Sequence, residues 1–350
     1  MVSCLHQQWL RAQRDENGFV LHYSNRIGNI ANYFPRPAKQ YPSLIFFIGK
    51  QSKSQVLQAL FPENSISNCR KYGIANICAE PTTTQDDHPL LLADSSPDFA
   101  QTNLRGKTVC HETKKYQVAW PDDGSGPITE QGLANLLHAR LLSLFIDVLC
   151  IFAADCGGLD GVAEKLASWA TLGSASSLPI SSRPRLLVVI NVPGHLFVSE
   201  ALRFRLRVVA HPKFAESFSS LNLVNLLGSN RRRPRAQFGS LREVISQEIS
   251  MARLERVNTH TLFSMMHVAS LFEMALKSFA AIPWQEFDFI SSSRGDNPVS
   301  YNFGNHLKSF LSLSLAHNLP DNILWDFVGS AIILDAFPTD MHRKHLVASK

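Results

Sequence analysis

Lys53 followed by Ser54, set just after a wholly apolar run and at the start of a helical pattern, is the pair that closes a phosphate-binding loop of the form GxxxxGK[ST]. In that motif glycines turn backbone N–H groups onto a phosphate, the lysine reaches the terminal phosphates and the hydroxyl holds magnesium. Gly49, Lys50, Ser52, Lys53 and Ser54 are therefore candidate nucleotide contacts, and Ser54 is also a candidate Mg2+ ligand. The glycine pattern is incomplete. Phe47 stands where the first glycine belongs and Ser52 where the second does, which leaves only Gly49 inside the loop. A serine held at positive φ costs on the order of 1 kcal/mol, so Ser52 is the milder of the two defects. The alternative reading is a lysine-bearing strand-to-helix turn in a sheet that has lost its ligand.

Four more residues fit the same chemistry. Asp94 closes an apolar run some forty residues after Ser54, where a P-loop protein places the aspartate that supports magnesium. Thr83, within Thr82-Thr83-Thr84, is a candidate magnesium-contacting threonine, although the stretch is also ordinary loop composition. Asn191 follows a strand where a GTPase carries its guanine reader, but Asn191-Val192-Pro193-Gly194 lacks the aspartate of that reader, so ATP and GTP are both open. Asp155 ends another apolar run and is the candidate that positions an attacking water. In a live site Lys53→Ala is expected to weaken nucleotide binding by roughly ten- to a hundredfold and to leave folding almost untouched.

These residues need elements to hold them. Ser43–Ile48 is a short apolar, β-branched and aromatic run, the pattern of a strand buried on both faces of a parallel sheet, and Val56, Leu57 and Leu60 then share one helical face. Runs over 88–94, 147–155 and 185–191 repeat the strand pattern, each closed by a polar side chain, and 223–227 reads as a last strand. Helical patterns at 130–144, 159–170 and 197–209 alternate with them, as in a doubly wound sheet. Such sheets bind ligands beyond the strand C-termini, which places Gly49–Ser54, Asp94, Asp155 and Asn191 on one rim. The expected fold is therefore α/β of the P-loop NTPase kind, with a mainly parallel sheet and flanking helices, over residues 41–230. Residues 1–40, ending in Pro35-Arg36-Pro37, read as an irregular lead-in. After the basic stretch Arg231-Arg232-Arg233-Pro234-Arg235 the strand pattern stops, and 240–342 reads as a helical domain that packs on the first and offers a surface to a protein partner.

Composition narrows the function classes. The 350 residues are 45% hydrophobic and 18% charged, which is globular, and a net charge of +5 is far below that of a dedicated nucleic-acid binder. The six cysteines show no paired CxxC spacing, so neither a zinc site nor a disulfide framework is indicated. His111-Glu112 begins like a zinc-protease motif but lacks its second histidine, and no GxSxG nucleophile elbow occurs. The first residues are too polar for a signal peptide and no run reaches the ~20 apolar residues of a membrane span, which points to the cytoplasm.

Four stretches carry a family resemblance: SLIFFIGKQSKSQVLQALFP at 43–62, DVLCIFAADCGGLDGVAEKLASWA at 147–170, FDFISSSR at 287–294 and AIILDAFPTDMH at 331–342. They resemble the N-terminal region of large fungal proteins that carry a patatin-like phospholipase domain further along the chain. The resemblance implies a GTPase-like region in front of a lipid acyl hydrolase, and the patatin serine and aspartate have no matching positions here. Two functions follow as expectations. One is a regulatory and interaction module with a degenerate P-loop that binds nucleotide weakly or not at all, and the other is an active Mg2+-dependent NTPase using ATP or GTP.

Overall fold

The run Ser43–Ile48 forms an interior strand with all six of its residues buried, as a strand covered on both faces requires. It is seen in a computed structural model that describes residues 8–16, 18–66, 74–97, 113–119, 129–227, 238–293 and 300–336. Nine strands are present there: β1 (Gln8–Asp15), β2 (Gly18–Ser24), β3 (Ser43–Ile48), β4 (Ile74–Ala79), β5 (Leu90–Ser95), β6 (Thr113–Gln117), β7 (Val148–Phe152), β8 (Arg185–Ile190) and β9 (Ser220–Asn225). They form one sheet in the order β6-β2-β1-β4-β5-β3-β7-β8-β9.

The run β5-β3-β7-β8-β9 is parallel throughout, and these are the strands that the apolar runs mark. The remaining pairings, β5 with β4, β4 with β1, β1 with β2 and β2 with β6, are antiparallel. A mainly parallel sheet is therefore corrected to a mixed one, within the expected α/β class. Of the antiparallel strands, β1 and β6 escape a search for apolar runs because they are patterned differently. β1 buries little beyond Trp9 and Leu10, and β6 is the lysine-bearing edge strand Thr113-Lys114-Lys115-Tyr116-Gln117, composed as exposed edges are.

Residues 1–40 are corrected in the same way. They supply β1, β2 and helix α1 (Arg26–Ala31) instead of an irregular lead-in. The sequence reads Asn17-Gly18 where β2 begins, a hairpin dipeptide, and Gly18 sits at φ 120°, which a side chain would resist. The hairpin is anchored by aromatic packing: Phe272 lies 4.6 Å from Trp9 and 5.6 Å from Tyr23 between ring centroids.

The helices of the first part are α2 (Gln51–Leu60), α3 (Glu130–Leu136), α4 (Gly158–Thr171), α5 (Gly194–Val209) and α6 (Phe214–Ser217); α3 runs on through a π turn at Leu137–Leu141. Next come α7 (Gly239–Asn258) and α8 (Met265–Ala281). Val56, Leu57 and Leu60 of α2 share one core with Phe47, Cys150, Phe152, Leu187 and Val189 of the sheet and with Leu241, Ile245 and Ile249 of α7. α7 is also tied to the sheet by two ion pairs, the buried Arg256 Nε to Asp147 Oδ1 at 2.5 Å and the partly buried Arg185 Nε to Glu248 Oε2 at 2.5 Å.

The chain divides into two compact units, Met1–Phe287 and Asp288–Lys350. α7 and α8 thus share a unit with the sheet, whereas the sequence places the boundary near 230–240. The helical character expected from 240 onward does hold in the described residues, which continue with α9 (Phe289–Ser293), α10 (Phe303–Ala316) and α11 (Asp321–Ala336). In the second unit the rings of Phe310 and Phe327 stack at 4.2 Å between α10 and α11. The basic stretch 231–235, the loop 228–230 and the pair His111-Glu112 lie outside the described residues.

Candidate functional site

Parallel register brings the expected rim together. Phe47 pairs with Asp94 and Ile48 with Ser95 on one side, Ile48 with Ile151 on the other, and Ile190 with Asn225 further along. The strands therefore end level; Gly49, Lys50, Asp155 and Asn191 follow those ends, and Asp94 is the last residue but one of β5.

The connection between β3 and α2 is only Gly49-Lys50, because β3 keeps Phe47 and Ile48 and α2 begins at Gln51. The six positions that a phosphate loop would need, 47–52, are thus divided among strand, turn and helix. Phe47 is fully buried against Phe61 and Phe152, which explains an aromatic where the motif has glycine. Ser52 is helical, so the strain expected from a serine at positive φ does not arise.

Backbone amides do converge here, on a carboxylate of the same chain. Asp155 Oδ2 accepts from Lys50 N at 2.7 Å and Lys53 N at 3.1 Å, and Oδ1 accepts from Ser52 N at 3.2 Å. Asp155 follows β7, the neighbour of β3, so strand order delivers it to the first turn of α2. There it satisfies three donors that a helix start leaves open and gains from the helix dipole. An anion seat exists, and Asp155 occupies it. The structure therefore gives Asp155 an anchoring place, in contrast to the water-positioning role expected from sequence.

Lys53 is engaged as well. Its Nζ lies 2.5 Å from Asp94 Oδ2 and 3.2 Å from the Ser95 carbonyl oxygen, with side-chain exposures of 7% for Lys53 and 3% for Asp94. Asn76 Nδ2 donates to Asp94 Oδ1 at 2.9 Å. Burial pushes the Asp94 carboxyl above its ordinary range, with the Lys53 charge and then the Lys53 and Asn76 hydrogen bonds drawing it back.

The three candidate magnesium ligands do not meet. Ser54 Oγ donates back to the Lys50 carbonyl at 2.9 Å, inside its own helix. Thr83 is at the opposite edge of the sheet, where its Oγ1 accepts from Leu90 N at 2.9 Å and donates to Glu80 O at 3.1 Å. Leu90 and Asp94 are four residues apart on one strand, about 13 Å, which separates Thr83 from Asp94. No cluster of three or more His, Cys, Asp or Glu suited to a metal occurs among the described residues. Asn191 is exposed on the correct rim, two strands from β3 and so about 10 Å across.

Sequence reasoning passed over Asn76, Ser95 and His138. Asn76 is the polar residue within Ile74-Ala75-Asn76-Ile77-Cys78, and a buried polar side chain in an apolar strand is itself a signal. His138 Nε2 lies 3.2 Å from Ser95 Oγ, and its Nδ1 lies 2.8 Å from the Ala134 carbonyl, the geometry of a ring donating from Nδ1. Burial, followed by the Lys165 charge, lowers its pKa to about 3 against the raising effect of the Ala134 bond, so the ring is neutral.

Gly49 is required by space. A Cβ there would sit 2.6 Å from Asp155 Oδ2, 2.8 Å from Lys53 Cβ and 3.1 Å from Phe152 Cβ. Gly49→Ala is expected to cost about 1–3 kcal/mol, the range for overpacking a filled site, and urea denaturation measures it.

No protein-family model and no curated protein matches this chain in sequence.

Proposed function

We propose that this chain is a P-loop NTPase-like regulatory module whose phosphate seat is filled by its own side chains, so that it binds nucleotide weakly or not at all and acts through protein contacts of its helical segment. The observation that carries this reading is the convergence of the Lys50, Ser52 and Lys53 amides on Asp155, together with the Lys53 ammonium held by Asp94. A nucleotide would have to displace both carboxylates, and breaking one buried ion pair alone leaves an uncompensated charge worth several kcal/mol. The strand order β4-β5-β3-β7-β8-β9, with only β4 antiparallel, is the arrangement of a GTPase-type domain and supports that ancestry. α10 and α11 expose Leu313, Leu315, Ile323 and Trp325, an apolar surface suited to a protein partner. No helix among the described residues is long and apolar enough to cross a membrane. In the setting that the patatin-domain resemblance implies, the module modulates a lipid acyl hydrolase in the cytoplasm without hydrolysing nucleotide.

Calorimetric titration of Mg-ATP and Mg-GTP is the test. No saturable binding at millimolar nucleotide is expected, and tight binding with turnover would replace this reading with an active NTPase. Asp155→Ala supplies an independent measurement. Losing the acceptor of three helix-start amides is expected to cost about 1–2 kcal/mol. Inorganic phosphate should then raise the melting temperature of the variant more than that of the wild type, because it enters the vacated seat. Equal phosphate responses would mean that Asp155 occupies no anion seat.

A further inference from the structure

On the opposite edge of the sheet from Lys53, the C-terminal end of α2, the turn after β4 and one face of α7 enclose a cleft of about 660 Å³. That volume lies within the ~300–1,000 Å³ range of small-molecule sites. Its walls are apolar where Leu60, Phe61, Leu90, Ile245 and Ile249 line it. Two charged residues break that lining, Glu80 and Arg242.

Glu80 is the informative one. The residue is only 5% exposed, yet both of its side-chain hydrogen bonds, from Thr82 N at 2.9 Å and from Thr82 Oγ1, fall on the same oxygen, Oε2. Among the described residues no group donates to Oε1. That oxygen is open to water rather than sealed in the core, and it belongs to a residue that lines the cleft, so a ligand there can engage it. Arg242 does not supply the missing donor, since its guanidinium NH2 donates to the Leu60 carbonyl at the end of α2.

We infer that this cleft is a binding site for a small amphiphile with a protonated amine head and an apolar body. The ammonium donates to Glu80 Oε1, and the body lies on Leu60, Leu90, Ile245 and Ile249. A primary ammonium suits the position because it brings several donors and a charge to a carboxylate with a free acceptor, and charge-assisted hydrogen bonds are the strong ones. This site is independent of the β3–α2 turn.

The probe is phenethylammonium, compared with 2-phenylethanol, which keeps the apolar body and lacks the charge. Ligand-observed NMR or calorimetry on the full chain is expected to give saturable binding, with the amine at least tenfold tighter than the alcohol. Glu80→Gln should remove that preference while the alcohol still binds, which also shows that the variant is folded. Ser246→Trp introduces a large ring from the exposed face of α7 into the cleft and should abolish binding of both probes. Absence of binding by either probe at millimolar concentration, equal affinity of the two for wild type, or undiminished binding to Ser246→Trp would each overturn the assignment.

Discussion

Lys53→Ala is expected to lower folding stability by about 3–5 kcal/mol, the cost of removing one partner from a buried ion pair, as measured by urea denaturation. This reverses the expectation from the motif, in which the lysine projects toward a ligand and its loss barely touches folding. Lys53 instead holds Asp94, and without it the carboxylate keeps, among the described residues, the Asn76 amide as its side-chain partner. The effect has a pH signature. Burial already raises the Asp94 pKa in the folded state, so its ionisation costs stability as pH climbs through the raised value. Removing Lys53 deletes the largest influence that lowers it and raises it further. The loss in Lys53→Ala should therefore shrink as pH falls and Asp94 takes up a proton, and be largest where the carboxylate stays ionised. Combining Lys53→Met with Asp94→Leu removes both charges and should recover most of the loss, because apolar replacement of a whole buried pair is often neutral. A loss below about 0.5 kcal/mol in the single variant, the size of a surface substitution, would show that the pair contributes nothing to folding.

The contrast shows which parts of this protein sequence patterns carry. β3, β5, β7 and β8 were legible because a strand sandwiched between helix layers must be apolar on both faces, and such runs stand out. Their C-terminal polar residues were legible as a rim for the same topological reason, since parallel strands end together. What each rim residue does was hidden, because it depends on neighbours set by strand order. Asp155 reads as a free catalytic carboxylate until β7 is seen beside β3, where it becomes the cap of α2. For Thr83 the topology alone decides the matter. A residue in the turn before a parallel strand lies at that strand's N-terminal edge, whereas a ligand crevice lies beyond the C-terminal edge, so Thr83 never had a route to Asp94. The antiparallel half was illegible for a different reason. β1 and β6 put polar residues at most positions, and only the pairing partners and the aromatic cluster around Phe272 make them strands.

The domain boundary carries the largest expected effect. A chain ending at residue 237 should fail to fold, and a chain ending at Phe287 should unfold in one cooperative transition. The first truncation removes Leu241, Ile245 and Ile249 from the core shared with α2 and the sheet, and exposes that face to water. It also strips the partners from one buried and one partly buried charge. Asp147 is 5% exposed, accepts from Leu44 N at 2.7 Å through Oδ2 and from Arg256 through Oδ1, while Arg185 loses Glu248. One point mutation isolates the electrostatic part. Asp147→Ala leaves the buried Arg256 without its carboxylate and the Leu44 amide without its acceptor, and is expected to cost about 3–5 kcal/mol in urea denaturation. Arg256→Ala should cost a similar amount and the double variant much less than the sum, because the second substitution removes a charge already stranded by the first. The truncations are read by circular dichroism and thermal melting. A cooperatively folded 1–237 chain would return the boundary to the basic stretch before α7, and an unfolded 1–287 chain would mean that the first unit does not stand alone.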